Sequence, residues 1–176
     1  RNDRINYLKE QLLDARNEGY SFGVKLVRGA YMEKERKRAE VNTYPSPINK
    51  TKEETDRIYN KAITICIENI DSVNVCLGTH NETSCLHMVH LMEQKGIKNN
   101  DKRIYFAQLY GMSNHISYNL SAEGYNVAKY VPYGEVEKLV PYLIRRAKEN
   151  TSIAGQTGRE VRLILAERRR RSSVKK

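Results

Sequence analysis

The feature that most constrains the fold of this chain is a short apolar strand pattern followed by a helical pattern, repeated four times within 176 residues. The predicted strands cover residues 22–27, 73–77, 103–109 and 126–131. Parallel strands need a crossover of about a dozen residues or more, which is usually a helix. The alternation therefore predicts an α/β fold, in which helices cover a parallel sheet.

Two α/β folds fit this pattern, a doubly wound sheet and a TIM-type (βα) barrel. No Gly-x-Gly-x-x-Gly fingerprint follows any predicted strand, which favours the barrel. Four strands cannot close a barrel, and the chain starts at Arg1 and enters directly on a helix. We therefore expect residues 1–167 to form the C-terminal half of a (βα)8 barrel, four βα units that need the missing N-terminal half or a second copy.

The composition excludes several classes of protein. Apolar runs are too short to cross a bilayer, which argues against a membrane-spanning segment. The three cysteines form no Cys-x-x-Cys pair, which argues against a disulfide scaffold or a zinc ribbon. His87 and His90 lack a third ligand nearby in the sequence, so we assign no metal. The net charge is +10, but residues 168–176 supply six of these charges, so the rest of the chain carries only four. We expect a solvated, partly disordered basic tail and no nucleic-acid partner.

The segment 130–150 predicts a helix with two different faces. Its apolar stripe lies opposite a polar stripe of Tyr142, Arg145, Arg146 and Glu149, which stand at i, i+3, i+4 and i+7. Paired guanidinium groups suit bidentate binding of a carboxylate or phosphate, and Glu149 is one turn from Arg145. The alternative is a solvated face with weak surface ion pairs. Because of Pro141, we expect the helix to start there or a preceding turn to break at Val140.

Polar residues also cluster after the carboxyl ends of the predicted strands, where both candidate folds place their sites. They are Lys25, Arg28, Thr79, His80, Asn81, Gln108 and Tyr130. Taken singly, each has a structural alternative: a surface ion pair for Arg28, a capping role for His80, a simple turn for Gly29.

Five motifs taken together resemble the proline dehydrogenase family, over about residues 22–167. They are Lys25-Leu-Val-Arg-Gly-Ala-Tyr31, Gly78-Thr-His-Asn-Glu82, Gln108-Leu-Tyr-Gly-Met112, Lys129-Tyr-Val-Pro-Tyr-Gly134 and Tyr142-Leu-Ile-Arg-Arg-Ala-Lys-Glu-Asn150. The first motif, with Tyr44-Pro-Ser-Pro-Ile48, is similar to the monofunctional branch. The resemblance implies an FAD-dependent enzyme on a (βα) barrel that oxidises L-proline to 1-pyrroline-5-carboxylate and passes electrons to a membrane quinone.

The resemblance also implies roles for individual residues. Lys25 and Tyr130 would be catalytic, and Arg145 and Arg146 would bind the proline carboxylate. Glu149 would orient these arginines, while Tyr142 and Leu109 would help Tyr130 to enclose the ring. The implied FAD-binding residues are Arg28, Gly29, Ala30, Thr79, His80, Asn81 and Gln108.

Two features depart from the family pattern. Many bacterial relatives have arginine in place of Lys25, and no segment matches the family's early active-site lysine and aspartate.

We expect a cytoplasmic protein, peripheral on the inner face of the membrane and mitochondrial in a eukaryote. The alternatives are an inactive half-barrel fragment, or a module that binds anions or nucleic acid through the basic tail.

Overall fold

The computed structural model describes the backbone of residues 1–151 and 156–174, and the side chains of residues 1–144, 161–162 and 164–172. The chain forms two compact units, Arg1–Tyr130 and Val131–Lys176. Within the described residues, no helix is both long and apolar enough to cross a membrane.

The first unit contains all four predicted strands. Its elements are α1 (Arg4–Glu18), β1 (Phe22–Val27), α2 (Met32–Val41), α3 (Lys52–Glu68), a 3-10 turn (Ile70–Ser72), β2 (Val73–Gly78), α4 (Glu82–Gln94), β3 (Ile104–Leu109), α5 (Asn114–Ala122) and β4 (Val127–Tyr130). The second unit contains α6 (Val136–Thr151) and α7 (Gln156–Val174).

The four strands form one parallel sheet in the order β1-β2-β3-β4. A doubly wound sheet reverses its strand order at a switch point, and this sheet does not. Because crossovers between parallel strands are right-handed, a sequential order places the intervening helices on one face, as in a barrel. The predicted α/β class is confirmed, and the strand order agrees with the barrel alternative.

The core lies between the sheet and its helices. Residues alternate along each strand, so that Val73, Val75 and Leu77 of β2 are buried under the helices. We call the opposite side of the sheet the inner face, because it corresponds to the inside of a barrel. The strand register assigns to it Gly23, Lys25, Val27, Asn74, Cys76, Gly78, Tyr105, Ala107, Leu109, Ala128 and Tyr130.

Two helices differ from the sequence-based expectations. Helix α2 was not predicted, because Ala39 is its only buried residue and no apolar stripe marks it. Helix α6 runs through Pro141, so both expectations for a boundary there are wrong. Proline removes the bond to the carbonyl of Glu137, but that residue is exposed and near the helix start, where water can satisfy the carbonyl.

The basic tail also differs from expectation. Residues 168–174 were expected to be partly disordered, whereas they continue helix α7. The carboxylate of Glu167 accepts hydrogen bonds from Arg170 at 2.7 Å and from Arg171 at 2.9 Å, at i+3 and i+4 spacing. Such pairs favour the helix over a disordered tail.

Candidate functional site

Lys25 and Tyr130 meet on the inner face of the sheet. They come from the two outer strands, which a flat sheet would hold about 14 Å apart, three strand spacings. The Lys25 ammonium nevertheless lies 5.4 Å from the centroid of the Tyr130 ring. Contact across four strands is expected on the concave side of a curved sheet, where side chains lean toward each other.

Leu109 completes this cluster, because it is the register partner of Tyr130 on the same face. Leu109 is half-buried, and Tyr130 is 48% exposed. A cation, an aromatic ring and an aliphatic side chain are thus gathered at the carboxyl ends of three strands. The structure brings together three of the predicted site residues.

Arg28, just after β1, is held by groups from three other parts of the fold. Its guanidinium donates to Asp56 of α3 at 2.5 Å, and to the hydroxyls of Thr79 and Ser84 at 3.1 Å each. It also stacks 4.4 Å from the ring centroid of Tyr59. With 14% side-chain exposure, Arg28 joins the loop after β1 to the loop after β2. Its charge is balanced within the protein by Asp56.

Thr79 and Asn81 shape the loop between β2 and α4. The hydroxyl of Thr79 accepts the backbone N–H of Asn81 at 3.1 Å. The side-chain oxygen of Asn81 in turn accepts the N–H of Ser84 at 3.0 Å, as an N-cap of α4. Both side chains therefore fix the backbone of this loop.

His80 links that loop to the next one. Its Nδ1 lies 2.9 Å from the hydroxyl of Ser113, which is buried and has a left-handed backbone with φ of 50°. Gly29, in the loop after β1, also has positive φ, at 77°, where a glycine is favoured. Ala30 follows it in the same loop.

Gln108 is oriented differently from the other predicted site residues. It is 2% exposed, and its register places it with Phe106 on the helix-facing side of β3. Its side-chain oxygen accepts from Ser117 of α5 at 2.9 Å, and its amide donates to the carbonyl of Thr79 at 3.3 Å. Gln108 therefore holds the loop after β2 from the helix-facing side of the sheet.

The four polar-stripe residues of α6 lie in the second unit. Helix α6 is continuous over Tyr142, Arg145, Arg146 and Glu149, so their helical spacing is as predicted. Tyr142 is half-buried. The side chains of Arg145, Arg146 and Glu149 lie outside the described residues.

Burial controls the ionisable groups near the sheet. It raises the pKa of the Cys66 and Cys85 thiols to about 12, so both stay protonated at neutral pH, as expected for inert cysteines. Burial also raises the pKa of the Cys76 thiol, and the nearby charge of Lys25 opposes this shift. The pKa of the Tyr59 phenol is raised by burial as well.

Several residues of this network were not predicted. Asp56 and Tyr59 stand at i and i+3 on α3, Ser84 is in the first turn of α4, and Ser113 is the N-cap position of α5. None of them is part of a recognisable motif. A sequence signal existed only for Asp56 and Tyr59, whose spacing places them on one helix face.

Comparison with known proteins identifies the family. The family model described as proline dehydrogenase matches residues 1–159. Human mitochondrial proline dehydrogenase 1 is 44% identical over 160 residues, which cover 89% of this chain and 27% of that protein. Hydroxyproline dehydrogenase of Xenopus laevis is 42% identical over 173 residues, covering 96% of this chain and 37% of that protein. The chain thus spans roughly a quarter to two fifths of the length of these curated relatives.

A solved structure shows the same architecture. The crystal structure of proline utilization A from Bdellovibrio bacteriovorus inactivated by N-propargylglycine matches with a TM-score of 0.80 and 31% identity. The match covers 86% of this chain and 16% of that one. This likeness confirms the predicted (βα)-barrel fold class. On the strength of the family match over most of its length, this chain belongs to the proline dehydrogenase family.

Proposed function

We propose that this chain is the part of a flavin-dependent proline dehydrogenase that carries four βα units of the barrel. The reaction is the oxidation of L-proline to 1-pyrroline-5-carboxylate, with FAD as the cofactor. The observation that carries the proposal is the Lys25 ammonium on the inner face, beside Tyr130 and Leu109, in a chain of this family. Enzymes of this fold have their active sites at the carboxyl ends of the barrel strands, and the charge of Lys25 lies at this end of the sheet.

The residues of the inner face suit a flat, electron-accepting ring. Gly78 has no side chain beside Lys25, and its register neighbours Ala107 and Ala128 are small. When bound, FAD supplies the hydride-accepting chemistry. Lys25 would supply a positive charge on the inner face, which would stabilise the negative charge that develops as the ring is reduced.

The loops after the strands would hold the cofactor. In this proposal, the backbone of Gly29 and Ala30 approaches it from the β1 side, and residues 79–81 approach it from the β2 side. Arg28 and Gln108 hold these two loops in place, since both side chains donate to Thr79. Their contribution is then the geometry of the loops, because their polar atoms are engaged with the protein.

By resemblance to the family, two sets of residues would bind the substrate. Arg145 and Arg146 bind the carboxylate of proline, and Glu149 orients them. Tyr142, Leu109 and Tyr130 enclose the apolar ring and exclude water, which positions the reacting carbon. The continuous helix supports the arginine pair, since it keeps both residues on the stripe with Tyr142.

The electron acceptor and location follow from the same proposal. A membrane quinone would reoxidise the flavin, with the protein peripheral on the membrane. Relatives from Drosophila melanogaster and Caenorhabditis elegans are named mitochondrial, which supports that location for a eukaryotic protein. We propose no nucleic-acid partner, because no recognition motif accompanies the basic residues of α7.

The test is the visible spectrum of the purified protein with FAD, recorded without oxygen before and after L-proline is added. We expect the oxidised flavin band to bleach. A parallel titration with 4-hydroxyproline distinguishes the two substrate classes, because one relative at 42% identity is a hydroxyproline dehydrogenase. Bleaching by hydroxyproline alone would change the substrate, and bound flavin that ignores both amino acids would refute the proposed reaction.

A further inference from the structure

Lys25 crosses the sheet directly above a glycine of the neighbouring strand. Gly78 of β2 is the register partner of Val27, two residues beyond Lys25 on the same face. A Cβ atom placed on Gly78 would lie 2.8 Å from a methyl carbon of Val27, 3.2 Å from the backbone oxygen of Leu26 and 3.2 Å from the Cε atom of Lys25. The lysine side chain is therefore one of three groups that occupy the space that a side chain at this position would need.

The backbone does not explain this glycine. Gly78 is not among the glycines with positive φ, so its strand conformation is open to any residue. The reason for a glycine here is space above the sheet. The contact with Val27 is less restrictive, because that side chain is 55% exposed and has room to turn.

The position of the ammonium depends on this contact. Cε is bonded to the nitrogen, so a shift of Cε moves the charge by a similar distance. A lysine side chain has four rotatable bonds and holds a fixed place only when its surroundings select one conformer. Two contacts select it here, the bare backbone of Gly78 below and the ring of Tyr130 beyond.

We propose that Gly78 is a positioning residue, which sets the place of the Lys25 ammonium on the inner face and thereby the reduction potential of the bound flavin. This inference rests on the proposed function. Gly78 touches neither substrate nor reacting atoms in this account, and it acts through Lys25. A displaced cation stabilises the reduced, negatively charged ring less well, so the potential becomes more negative.

The test is Gly78→Ala in the complete flavin-loaded protein. We expect the potential of the bound flavin, measured against a reference dye without proline, to become more negative. The rate of flavin reduction by proline should fall about tenfold. The matched control is Gly23→Ala, since Gly23 is also an inner-face strand glycine but has nothing within 4 Å of an added Cβ. This control should leave both quantities unchanged.

A double-mutant cycle with Lys25→Met separates the positioning role from a direct effect on the flavin. If Gly78 acts through Lys25, Gly78→Ala causes no further shift of the potential in the Lys25→Met protein. An equal shift in both backgrounds, or no shift in either, would overturn the proposal. If the Gly78→Ala protein does not retain flavin, the double variant Val27→Ala/Gly78→Ala is used in its place. The double variant removes the 2.8 Å contact between the added Cβ atom and Val27 and keeps the contact with Lys25. Wild-type protein that is not reduced by proline would instead refute the proposed function.

Discussion

Arg28 shows how a charged side chain at the carboxyl ends of the strands can hold the loops around it. Its guanidinium contacts α3 through Asp56, the β2 loop through Thr79 and α4 through Ser84. An arginine buried in this way loses its hydration, and the partner carboxylate compensates for that loss. The pair with Asp56 is therefore expected to hold the two loops at a fixed separation.

This arrangement predicts the effect of Asp56→Asn. The substitution leaves the charge of Arg28 uncompensated at 14% exposure, so the two loops lose their common anchor. We expect the dissociation constant of FAD, measured by flavin fluorescence, to rise about tenfold, which corresponds to about 1.4 kcal/mol. Glu53→Gln is the control, because Glu53 is exposed in the first turn of the same helix. A lower melting temperature with unchanged FAD affinity would assign the pair to fold stability alone.

The residue scale also shows how far the sequence predicts the site. Leu109 was expected in the site from the family resemblance alone, and it is the register partner of Tyr130. Lys25 and Tyr130 were predicted to share a site because each is near the carboxyl end of a strand, and their side chains lie together. Gln108 satisfied the same rule, but side chains alternate along a strand, and its parity with Phe106 turns it toward α5. Asp56 could not be predicted, because only folding brings it to Arg28.

At the scale of single elements, an ion pair fixes the start of β3. The Arg103 guanidinium donates to the Asp101 carboxylate at 2.7 Å and to the carbonyl of Ile70 at 3.3 Å. These bonds join β3 to the turn before β2. The same guanidinium holds the pKa of the Asp101 carboxyl at about 2, below its ordinary value of 3.8.

The difference in stability between the wild type and the Asp101→Asn variant should depend on pH. Because the folded-state pKa is lowered, the stabilisation is complete above the ordinary pKa and disappears as the pH falls from about 4 to about 2. We expect Asp101→Asn to lower the free energy of unfolding by about 1 kcal/mol at pH 7, since Arg103 is 37% exposed and screened by water. The difference from wild type should shrink toward zero near pH 2 in urea unfolding.

Asp71→Asn provides the control for this pair. Asp71 contacts the same Arg103 at 3.2 Å, but its side chain is 96% exposed. Its removal should leave stability unchanged at every pH. An equal loss of unfolding free energy in both variants would show that the contact with Asp101 stabilises the fold no more than the contact with Asp71.

Helix α6 carries the second element-scale prediction. If Arg145 and Arg146 bind the substrate carboxylate, replacing both with alanine should raise the dissociation constant of proline about a hundredfold. FAD should still bind. Lys138→Ala is the control, because Lys138 is on the same helix and 81% exposed. Unchanged proline affinity in the double variant would remove these two arginines from the substrate site.

Elements differed in how well the sequence predicted them, for physical reasons. The strands carry short apolar patterns and α3 buries an apolar face, and these elements were located within a few residues. Helix α2 buries only Ala39, so its sequence has no periodic signal. In α6, Pro141 indicated a boundary, but the loss of one hydrogen bond near an exposed helix start did not interrupt the helix.

At the scale of the whole molecule, the parallel sheet could be predicted but the exposure of the inner face could not. Alternation of strands and helices predicts a parallel sheet, and the missing glycine fingerprint favoured the sequential strand order of a barrel over that of a doubly wound sheet. Exposure of the inner face depends on what else packs there, and no local pattern encodes that. Val27, Tyr105 and Tyr130 are 55%, 42% and 48% exposed on this face.

These features lead to a prediction for the 176-residue chain by itself. Among the described strands, β1 and β4 each pair with one neighbour, so both are edge strands of the sheet, beside the exposed inner face. Edge strands and exposed apolar side chains favour pairing with another copy. We expect size-exclusion chromatography with light scattering to give a mass above the 20.4 kDa of one chain, rising with concentration.

A charged residue at the edge should weaken this association. Val27→Lys adds a charge to the inner face of the outer strand β1, where a second copy would have to bury it. The fraction of monomer should therefore rise at a given concentration. Leu86→Lys is the matched control, because Leu86 is 59% exposed on helix α4, on the other side of the sheet. If both variants raise the monomer fraction equally, association proceeds through general surface hydrophobicity. A wild-type chain that stays at 20.4 kDa at every concentration would show that its edge strands and inner face are already protected.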